Sequence, residues 1–480
     1  FGADAVKNVQ VVVRRYGTVV QHVAPGDNVP GKAGSRERAG GRVAVRKVQG
    51  EHRPSMLSVA EQMRQLPRVF VLRSALRVLH SAATMPEPRA VAPHVASPVL
   101  VEPSPIAGTM EDFELEPLRD TSTALWAVVF AGGIGTRFWP LSTPRRPKQL
   151  LALVNERPLI ADTIARLSPL VPAERVLVVT SADIADALHD AIPEVPRANM
   201  LIEPRPLGTA AALAWGAQEV AKRAGPDTVF CALHADLAVG FPDVLREALR
   251  RAATIASSEP VLVALGAPPT RYETGFGYMQ PGVPFDPFVS RAEGGACRVE
   301  HFVEKPTAAL AHTLIDQGAL WNIGIFVWRA RVVLDGLHAH TGELQHGLPK
   351  LAGGDLSAFA ELVTSVSIDR GLLERSRNVV VLPTACAWDD VGTWASLRRV
   401  RDLDDTGNGV MGQVHCVDAS GNVIHADGGC VVAYGISGML VVSLDGLTFV
   451  TTLERASDLA PLLNALPGSL RSTPGRPTTS

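Results

Sequence analysis

Leu125-Trp126-Ala127-Val128-Val129-Phe130 runs directly into Ala131-Gly132-Gly133-Ile134-Gly135-Thr136-Arg137-Phe138-Trp139-Pro140-Leu141-Ser142. The short, unbroken apolar run reads as a strand buried on both faces. Gly132, Gly133 and Gly135 let the main chain approach a ligand closely and turn its N–H groups towards phosphate oxygens. Arg137 adds a planar cationic fork, and Lys148, in Pro147-Lys148-Gln149, adds a compact point charge. Two other phosphate motifs fail here. The dinucleotide fingerprint needs a third Gly where Phe138 stands, and the P-loop needs Gly-Lys followed by Ser or Thr. A tight turn with two solvated cations is the bland alternative, and the spacing of Arg137 and Pro147-Lys148 weighs against it.

Outward from this junction, further apolar runs recur at 176–180, 229–233, 261–265 and 323–328, with helix-like stretches at 210–224 and 241–256 between them. Buried strands alternating with helices indicate an α/β domain around a mostly parallel sheet, over residues 121–402. After Asp405 the pattern changes. Gly407-Asn408-Gly409, Gly421-Asn422, Gly428-Gly429 and Asp445-Gly446 separate short β-rich pieces at 423–425, 431–434, 439–443 and 448–451. A small all-β domain is expected over 403–470, closed by a helix at 457–466, with a disordered Pro/Ser/Thr-rich tail over 471–480. Residues 1–120 are basic, rich in Arg, Val, Ala and Pro, and without sustained periodicity. They are expected to be a poorly ordered extension, with Met110 as a plausible natural start.

Composition narrows the function classes. The 480 residues are 46% hydrophobic and 20% charged with a net charge of −2, as in an ordinary globular protein. That balance argues against a nucleic-acid binder relying on a general basic surface. The five cysteines are scattered without a CxxC pair, so neither a zinc site nor a disulfide framework is expected, and a reduced cytoplasmic compartment is the simplest reading. No apolar run is long enough for a membrane helix.

The Gly-rich stretch resembles the signature of the sugar nucleotidyltransferases, and its Arg-Phe-Trp-Pro-Leu-Ser form resembles the mannose-1-phosphate guanylyltransferase branch. The resemblance continues in order across about 340 residues. It implies GMP transfer from GTP to mannose 1-phosphate, with release of pyrophosphate. It also implies a doubly wound α/β nucleotide-binding domain followed by a left-handed β-helix-like unit, and a homodimer. No isomerase barrel is expected at the C-terminus, so the enzyme is read as monofunctional.

Joining two anions calls for divalent cations, most simply Mg²⁺. Asp236, after the apolar run 229–233, matches the family's Asp at a strand end. Asp390, in Trp388-Asp389-Asp390-Val391-Gly392-Thr393-Trp394, matches the Asp of Trp-Ser-Asp-Val-Gly-Ser-Trp, with Asp389 where Ser is more usual. The family's Pro-Ser-Asp-His is His234-Ala235-Asp236-Leu237 here. A lone Asp at such a place is otherwise a turn or helix cap.

The segment Glu203-Pro204-Arg205-Pro206-Leu207-Gly208-Thr209-Ala210 resembles the family's Glu-Pro-x-x-Arg-Asn-Thr-Ala beside the base. Glu203 is the candidate acceptor for guanine N1–H and N2–H₂, with Gly208 and Thr209 nearby. Leu207-Gly208 in place of Arg-Asn leaves base selectivity open, and a plain loop entering a helix is the alternative. Pro269–Tyr278 resembles the strip lining the sugar site, where Gly275 and Gly277 permit close approach to the hexose. In Phe302-Val303-Glu304-Lys305-Pro306 the resemblance assigns Glu304 to sugar hydroxyls and Lys305 to the sugar phosphate. Trp321-Asn322-Ile323-Gly324 supplies Asn322, a donor and acceptor, and Gly324, which clears room. Ser367-Ile368-Asp369 resembles the start of Ser-Ile-Asp-Tyr-Ala, and a structural role is expected for it.

The residues expected at the reacting phosphates are Arg137, Lys148, Asp236 and Lys305. Ala131, Gly132, Gly133, Gly135 and Thr136 form the nucleotide loop, and Asp236 with Asp390 the metal site. No covalent intermediate is required, because the sugar phosphate is already an anionic nucleophile. Two rivals remain. One is a sibling enzyme using another base or hexose; the other is a catalytically silent sugar-nucleotide-binding regulator, which would be expected to have lost one of those four residues.

Overall fold

The computed structural model describes residues 124–133, 136–285 and 294–471, all within one compact unit. The expected extension over 1–120, the tail from 472 onwards and Gly135 therefore lie outside the described residues. Among the described residues, no helix is long and apolar enough to cross a membrane.

The opening apolar run forms β1 (Trp126–Phe130). With β2 (Val176–Ser181), β3 (Met200–Glu203) and β4 (Val229–His234) it makes a parallel group in the order β3-β2-β1-β4. Two residues after Asp236 comes the two-residue β5 (Ala238–Val239). The remaining strands are β6 (Leu262–Ala267), β7 (Gly277–Pro284), β8 (Cys297–Glu304), β9 (Leu320–Arg329), β10 (Val379–Pro383) and the short β11 (Trp388–Asp389). The main described sheet has the order β3-β2-β1-β4-β9-β6-β10-β8-β7.

This sheet is mixed, which corrects the expectation of a mostly parallel one. β9 is antiparallel to β4, β6 and β7, and β8 is antiparallel to β10 and β7. An apolar run buried on both faces has the same composition whichever way its neighbour runs, so the residues carried no signal for direction.

Successive side chains of β1 face opposite sides of the sheet. Ala127 and Val129 pack with residues of helices α1 (Leu159–Leu167), α2 (Ala185–Ala191) and α4 (Pro242–Ser258). Val128 and Phe130 pack with α3 (Thr209–Ala224) and α5 (Ala330–His340). The α3 helix lies so close to β1 that a Cβ on Gly216 would sit 2.5 Å from Val128 Cγ1.

The C-terminal strands β12 (Gly409–Val417), β13 (Val423–Tyr434) and β14 (Met439–Leu444) are successive parallel neighbours, and β15 (Leu447–Thr452) returns antiparallel through Asp445-Gly446. Two pieces expected as separate strands, 423–425 and 431–434, belong to the single β13. Gly428 and Gly429 have φ of 104° and 73°, and the register with β12 shifts between Met411 and Gln413. They make an irregularity within the strand instead of a turn between two. Buried Asn408 and Asn422 close the strand connections. Asn422 Nδ2 donates to Asn408 Oδ1 at 2.9 Å, and Asn408 Nδ2 donates to Ala419 O at 3.0 Å.

These strands share a core with the signature segment. Phe138, Trp139, Leu141, Leu151 and Leu153 pack with Val423, Leu440, Val442, Leu444 and Phe449. The Trp139 and Phe449 rings meet edge-on at 5.2 Å, and Trp394 Nε1 donates to Trp139 O at 3.0 Å. Arg401 is buried across the same boundary, donating to Leu153 O at 2.7 Å and to Gly409 O at 3.3 Å. Because the core is shared, Phe449→Ala is expected to cost about 3–5 kcal/mol and to lower a single melting transition. Two transitions in calorimetry, with only one shifted, would contradict a common core.

Candidate active site

The strand order carries the ends of β1 and β4 side by side, since Phe130 is the register partner of His234. The Gly-rich loop leaves β1, and Asp236 lies two residues beyond β4. A short antiparallel ribbon then brings in a third segment: β11 pairs with β5, with Asp389 opposite Ala238. Asp390 thereby joins Asp236, although the two are far apart in sequence.

Lys148 sits where these segments meet. Its side chain is 10% exposed, and its Nζ donates to Asp236 Oδ2 at 2.9 Å and to the Asp390 carbonyl at 2.6 Å. Burial alone would raise the Asp236 carboxyl, but Lys148, His234 and hydrogen bonds together hold it below its ordinary value. The Asp390 carboxyl is shifted upwards by burial first and by neighbouring Asp389 second, against Lys148, Arg271 and Arg399. Among the described residues no group of three or more His, Cys, Asp or Glu forms a complete metal cage. The Asp236 and Asp390 carboxyls, both close enough to Lys148 to be lowered by its charge, are hard-oxygen groups of the kind that suit Mg²⁺, which commonly takes one or two carboxylates and completes its shell with phosphate oxygens and water.

The loop itself is braced by a residue that the sequence reading passed over. Gln149 Nε2 donates to Ala131 O at 2.9 Å and to Gly133 O at 3.2 Å, and Thr180 Oγ1 donates to Ala131 O at 3.2 Å. The chain position next to Lys148 was the only available signal for Gln149. Gly132 and Gly133 are exposed, as is the Arg137 side chain; of Thr136 only the backbone is described.

Glu203, at the end of β3, adjoins this loop: a Cβ on Gly132 would lie 3.4 Å from Glu203 Oε2. Its other oxygen, Oε1, is buried and has no hydrogen-bond partner among the described residues. Burial pushes the carboxyl up to about 7, with a hydrogen bond from the Leu207 backbone acting the other way. Gly208 and Thr209 serve the packing of another segment. Gly208 has φ of 86° and no room for a Cβ, with Ser365 Oγ at 2.6 Å and Val366 O at 2.7 Å. Thr209 Oγ1 accepts from Ile368 N at 2.9 Å.

A second cluster gathers the remaining expected residues. β7, β8 and β9 converge at Gly277, where an added Cβ would lie 2.7 Å from Glu304 Oε2 and 3.3 Å from Asn322 Cβ. Lys305 Nζ lies 3.1 Å from Glu304 Oε1, and its backbone is held at φ 51° with its N–H donating to Phe276 O at 3.1 Å. Asn322 is engaged at both ends, donating to Asp369 Oδ1 at 2.8 Å and accepting from Gly324 N at 3.1 Å. Gly324, at φ 66°, faces His234, whose Cδ2 would lie 3.3 Å from an added Cβ. Gly275 is exposed, and its N–H donates to Glu273 Oε1 at 3.1 Å.

Asp369, for which only a structural role was expected, belongs to this cluster. Its carboxyl is pushed up to about 6 by burial and then by Glu304, with its own backbone N–H, Asn322 and Lys305 opposing. Glu374 also enters, accepting from Glu304 N at 2.9 Å. The arrangement offers carboxylates and an amide around one exposed ammonium, a setting for a polyhydroxylated anion.

A model of the nucleotidyl transferase family matches residues 126–406. A mannose-1-phosphate guanylyltransferase of Sinorhizobium fredii is 30% identical over 350 residues, which span 70% of this chain and 67% of that protein. The xanthan biosynthesis protein XanB of Xanthomonas campestris pv. campestris is 32% identical over 359 residues, 72% of this chain and 74% of that protein. Among solved structures, a Thermus thermophilus protein described as a mannose-1-phosphate geranyltransferase is 34% identical. It superposes with a TM-score of 0.65 over 71% of this chain and 98% of its own.

The raised carboxyl of Glu203 has a consequence for stability. An acid whose folded value lies above its unfolded one contributes stability that is fully present below the unfolded value and lost as pH rises through the folded one. Here the window runs from about 4.5 to about 7. The ligand-free wild-type protein is therefore expected to lose melting temperature relative to Glu203→Gln between pH 4.5 and 7.5. A difference independent of pH in paired melts would contradict the burial of this carboxyl.

Proposed function

The chain belongs to the nucleotidyl transferase family as a sugar-1-phosphate nucleotidyltransferase, and on that premise we propose that it transfers GMP from GTP to mannose 1-phosphate, giving GDP-mannose and pyrophosphate. The observation that carries this reading is the junction of Lys148 with Asp236 and the Asp390 carbonyl, beside a braced glycine loop and the unpartnered Glu203 Oε1.

In this reading a mannose 1-phosphate oxygen attacks the α-phosphate of GTP in line, the bond to the β-phosphate bridge breaks, and pyrophosphate leaves with the electron pair. Gly132 and Gly133 present backbone to the triphosphate, and Arg137 and Lys148 offset its charge. Glu203 as a carboxylate accepts from guanine N1–H and N2–H₂. Because burial raises this carboxyl to about 7, binding the base through the carboxylate near neutral pH is coupled to loss of a proton. Glu304 and Asp369 accept from hexose hydroxyls around Gly277, Asn322 keeps that pocket in shape, and exposed Lys305 takes the sugar phosphate. Asp236 and Asp390 would hold Mg²⁺, whose chemistry is charge neutralisation on the phosphate oxygens. No enzyme nucleophile is needed, because rate comes from orientation and charge.

The wider organisation is proposed on the same footing. Residues 121–402 are the catalytic domain, and the β12–β15 region is a left-handed β-helix-like unit. Homodimerisation through that unit draws support from exposed Val417, Val432 and Tyr434. The free thiols of Cys231, Cys386, Cys416 and Cys430 are in keeping with a reduced, cytoplasmic setting.

Pyrophosphate release with Mg²⁺, crossing GTP, UTP, dTTP and ATP with mannose and glucose 1-phosphates, is expected only for GTP with mannose 1-phosphate. Preference for another pair would keep the reaction class and overturn the substrate assignment. On the preferred pair, Asp236→Ala is expected to lower kcat by at least about 10²–10³-fold. Lys305→Ala should chiefly raise KM for the sugar phosphate, by roughly tenfold, the scale of one lost charge-assisted contact. Wild-type turnover in Asp236→Ala would remove that residue from the reaction.

A further inference from the structure

Asp389 adjoins Asp390 in the turn after β11, and nothing in the reaction outlined above uses it. The carboxylate is almost fully enclosed, with a side chain 6% exposed. Arg399 grips it with Nε at 2.7 Å and Nη2 at 3.2 Å, and the Val391 backbone N–H donates to Oδ1 at 2.9 Å. Such a two-point grip fixes orientation as well as charge.

The turn it holds is strained. Ala387 and Val391 have φ of 54° and 48°, a region that non-glycine residues rarely occupy and that a β-branched residue strongly resists. Strain of this kind persists only where the surroundings over-determine it. On one side Val391 is buried in the core formed by Phe138, Trp394 and the C-terminal strands. On the other side Asp389 holds its N–H. Between them lies Asp390, whose carbonyl receives Lys148 at 2.6 Å.

Asp389 also faces the 269–278 strip. Arg271 Nη1 lies 3.8 Å from Asp389 Oδ2, and Arg271 Nε lies 3.5 Å from Glu273. The Arg271 guanidinium rests over the rings of Trp321, at 5.0 Å, and Phe276, at 5.4 Å. Trp388, next to Asp389, meets Phe276 at 5.1 Å. A cation of the strip, seated over Phe276 and over Trp321 of β9, thus lies against the carboxylate that fixes the turn.

We propose that Asp389, gripped by Arg399 and faced by Arg271, is a positioning residue that sets the Asp390 turn against Lys148 and ties it to the strip proposed to line the sugar site. Arg271 is the link: a sugar phosphate that settles on the strip acts on a turn already registered to the nucleotide side. This inference rests on the function proposed above, and wild-type turnover is the separate control for that reading.

The test compares Asp389→Asn, Arg271→Gln, Arg271→Lys and the Asp389→Asn/Arg271→Gln double variant of the full chain on the wild type's preferred substrate pair. Asp389→Asn is expected to lower kcat by roughly 10–100-fold, the scale of a small misplacement of reacting groups, with KM for the nucleotide changed by less than about threefold. Arg271→Gln should raise KM for the sugar phosphate by roughly tenfold and weaken the sugar nucleotide to a similar degree in calorimetric titration without turnover. Arg271→Lys should recover part of both. The double variant should lose much less than the product of the single losses, because linked residues are not additive. Should Asp389→Asn fail to fold, Arg399→Gln takes its place with the same expected kcat loss. Folded variants with wild-type kcat, KM and binding and only a lowered melting temperature, or a double variant showing the full product of the single losses, would overturn the proposal.

Discussion

Lys148 reaches two groups that lie 88 and 242 residues further along the chain, the Asp236 carboxylate and the Asp390 carbonyl. An ammonium enclosed this closely is tolerable only when paired and hydrogen-bonded, so its burial requires both partners to stay in place. Asp236 comes from the end of β4, Asp390 from the ribbon of β11 with β5, and Lys148 from the segment after the glycine loop. The same contact that satisfies the charge therefore sets the geometry of the site. Gln149 adds a second tether from the neighbouring position by holding the loop carbonyls.

The C-terminal strands have a part in this arrangement. Phe138, Trp139 and Leu141, which follow the glycine loop, are buried against β13, β14 and β15. Arg401 spans the boundary with no carboxylate partner among its described hydrogen bonds, using backbone carbonyls and His425 Nδ1 instead. Burial pushes its guanidinium down to about 10 and, together with the cations Arg401 and Arg146, pushes the His425 imidazole down to about 3. The apolar half of the signature is thus the floor on which the phosphate-facing half stands, which explains why the motif couples Gly and Arg with Phe, Trp and Leu.

The parts of the site carried by local grammar were legible in the sequence. β1 and the loop after it were readable because an apolar run followed by glycines has few other uses. Glu304, Asn322 and Gly277 were placed by resemblance, and the structure brings them together. Strand direction was not legible, and neither was the merger of two short pieces into β13, because turn residues also serve as bulges. Gly208 and Thr209 matched a motif, yet their contacts serve the 365–368 segment. Gln149 was passed over and Asp369 was given only a structural role because their importance lies in partners distant in sequence, and burial, the first cause of the shifted carboxyl at Asp369, leaves no mark on the residue itself.

The measurement that most directly tests the account is a crystal structure of the full chain with GDP-mannose and Mg²⁺ bound. The guanine edge is expected against Glu203, the α-phosphate over Gly132 and Gly133 within reach of Lys148, the ion on Asp236 and Asp390, and the hexose between Gly277, Glu304 and Asp369. A nucleotide bound elsewhere, with the Lys148–Asp236 pair undisturbed and no ion on either carboxylate, would contradict it.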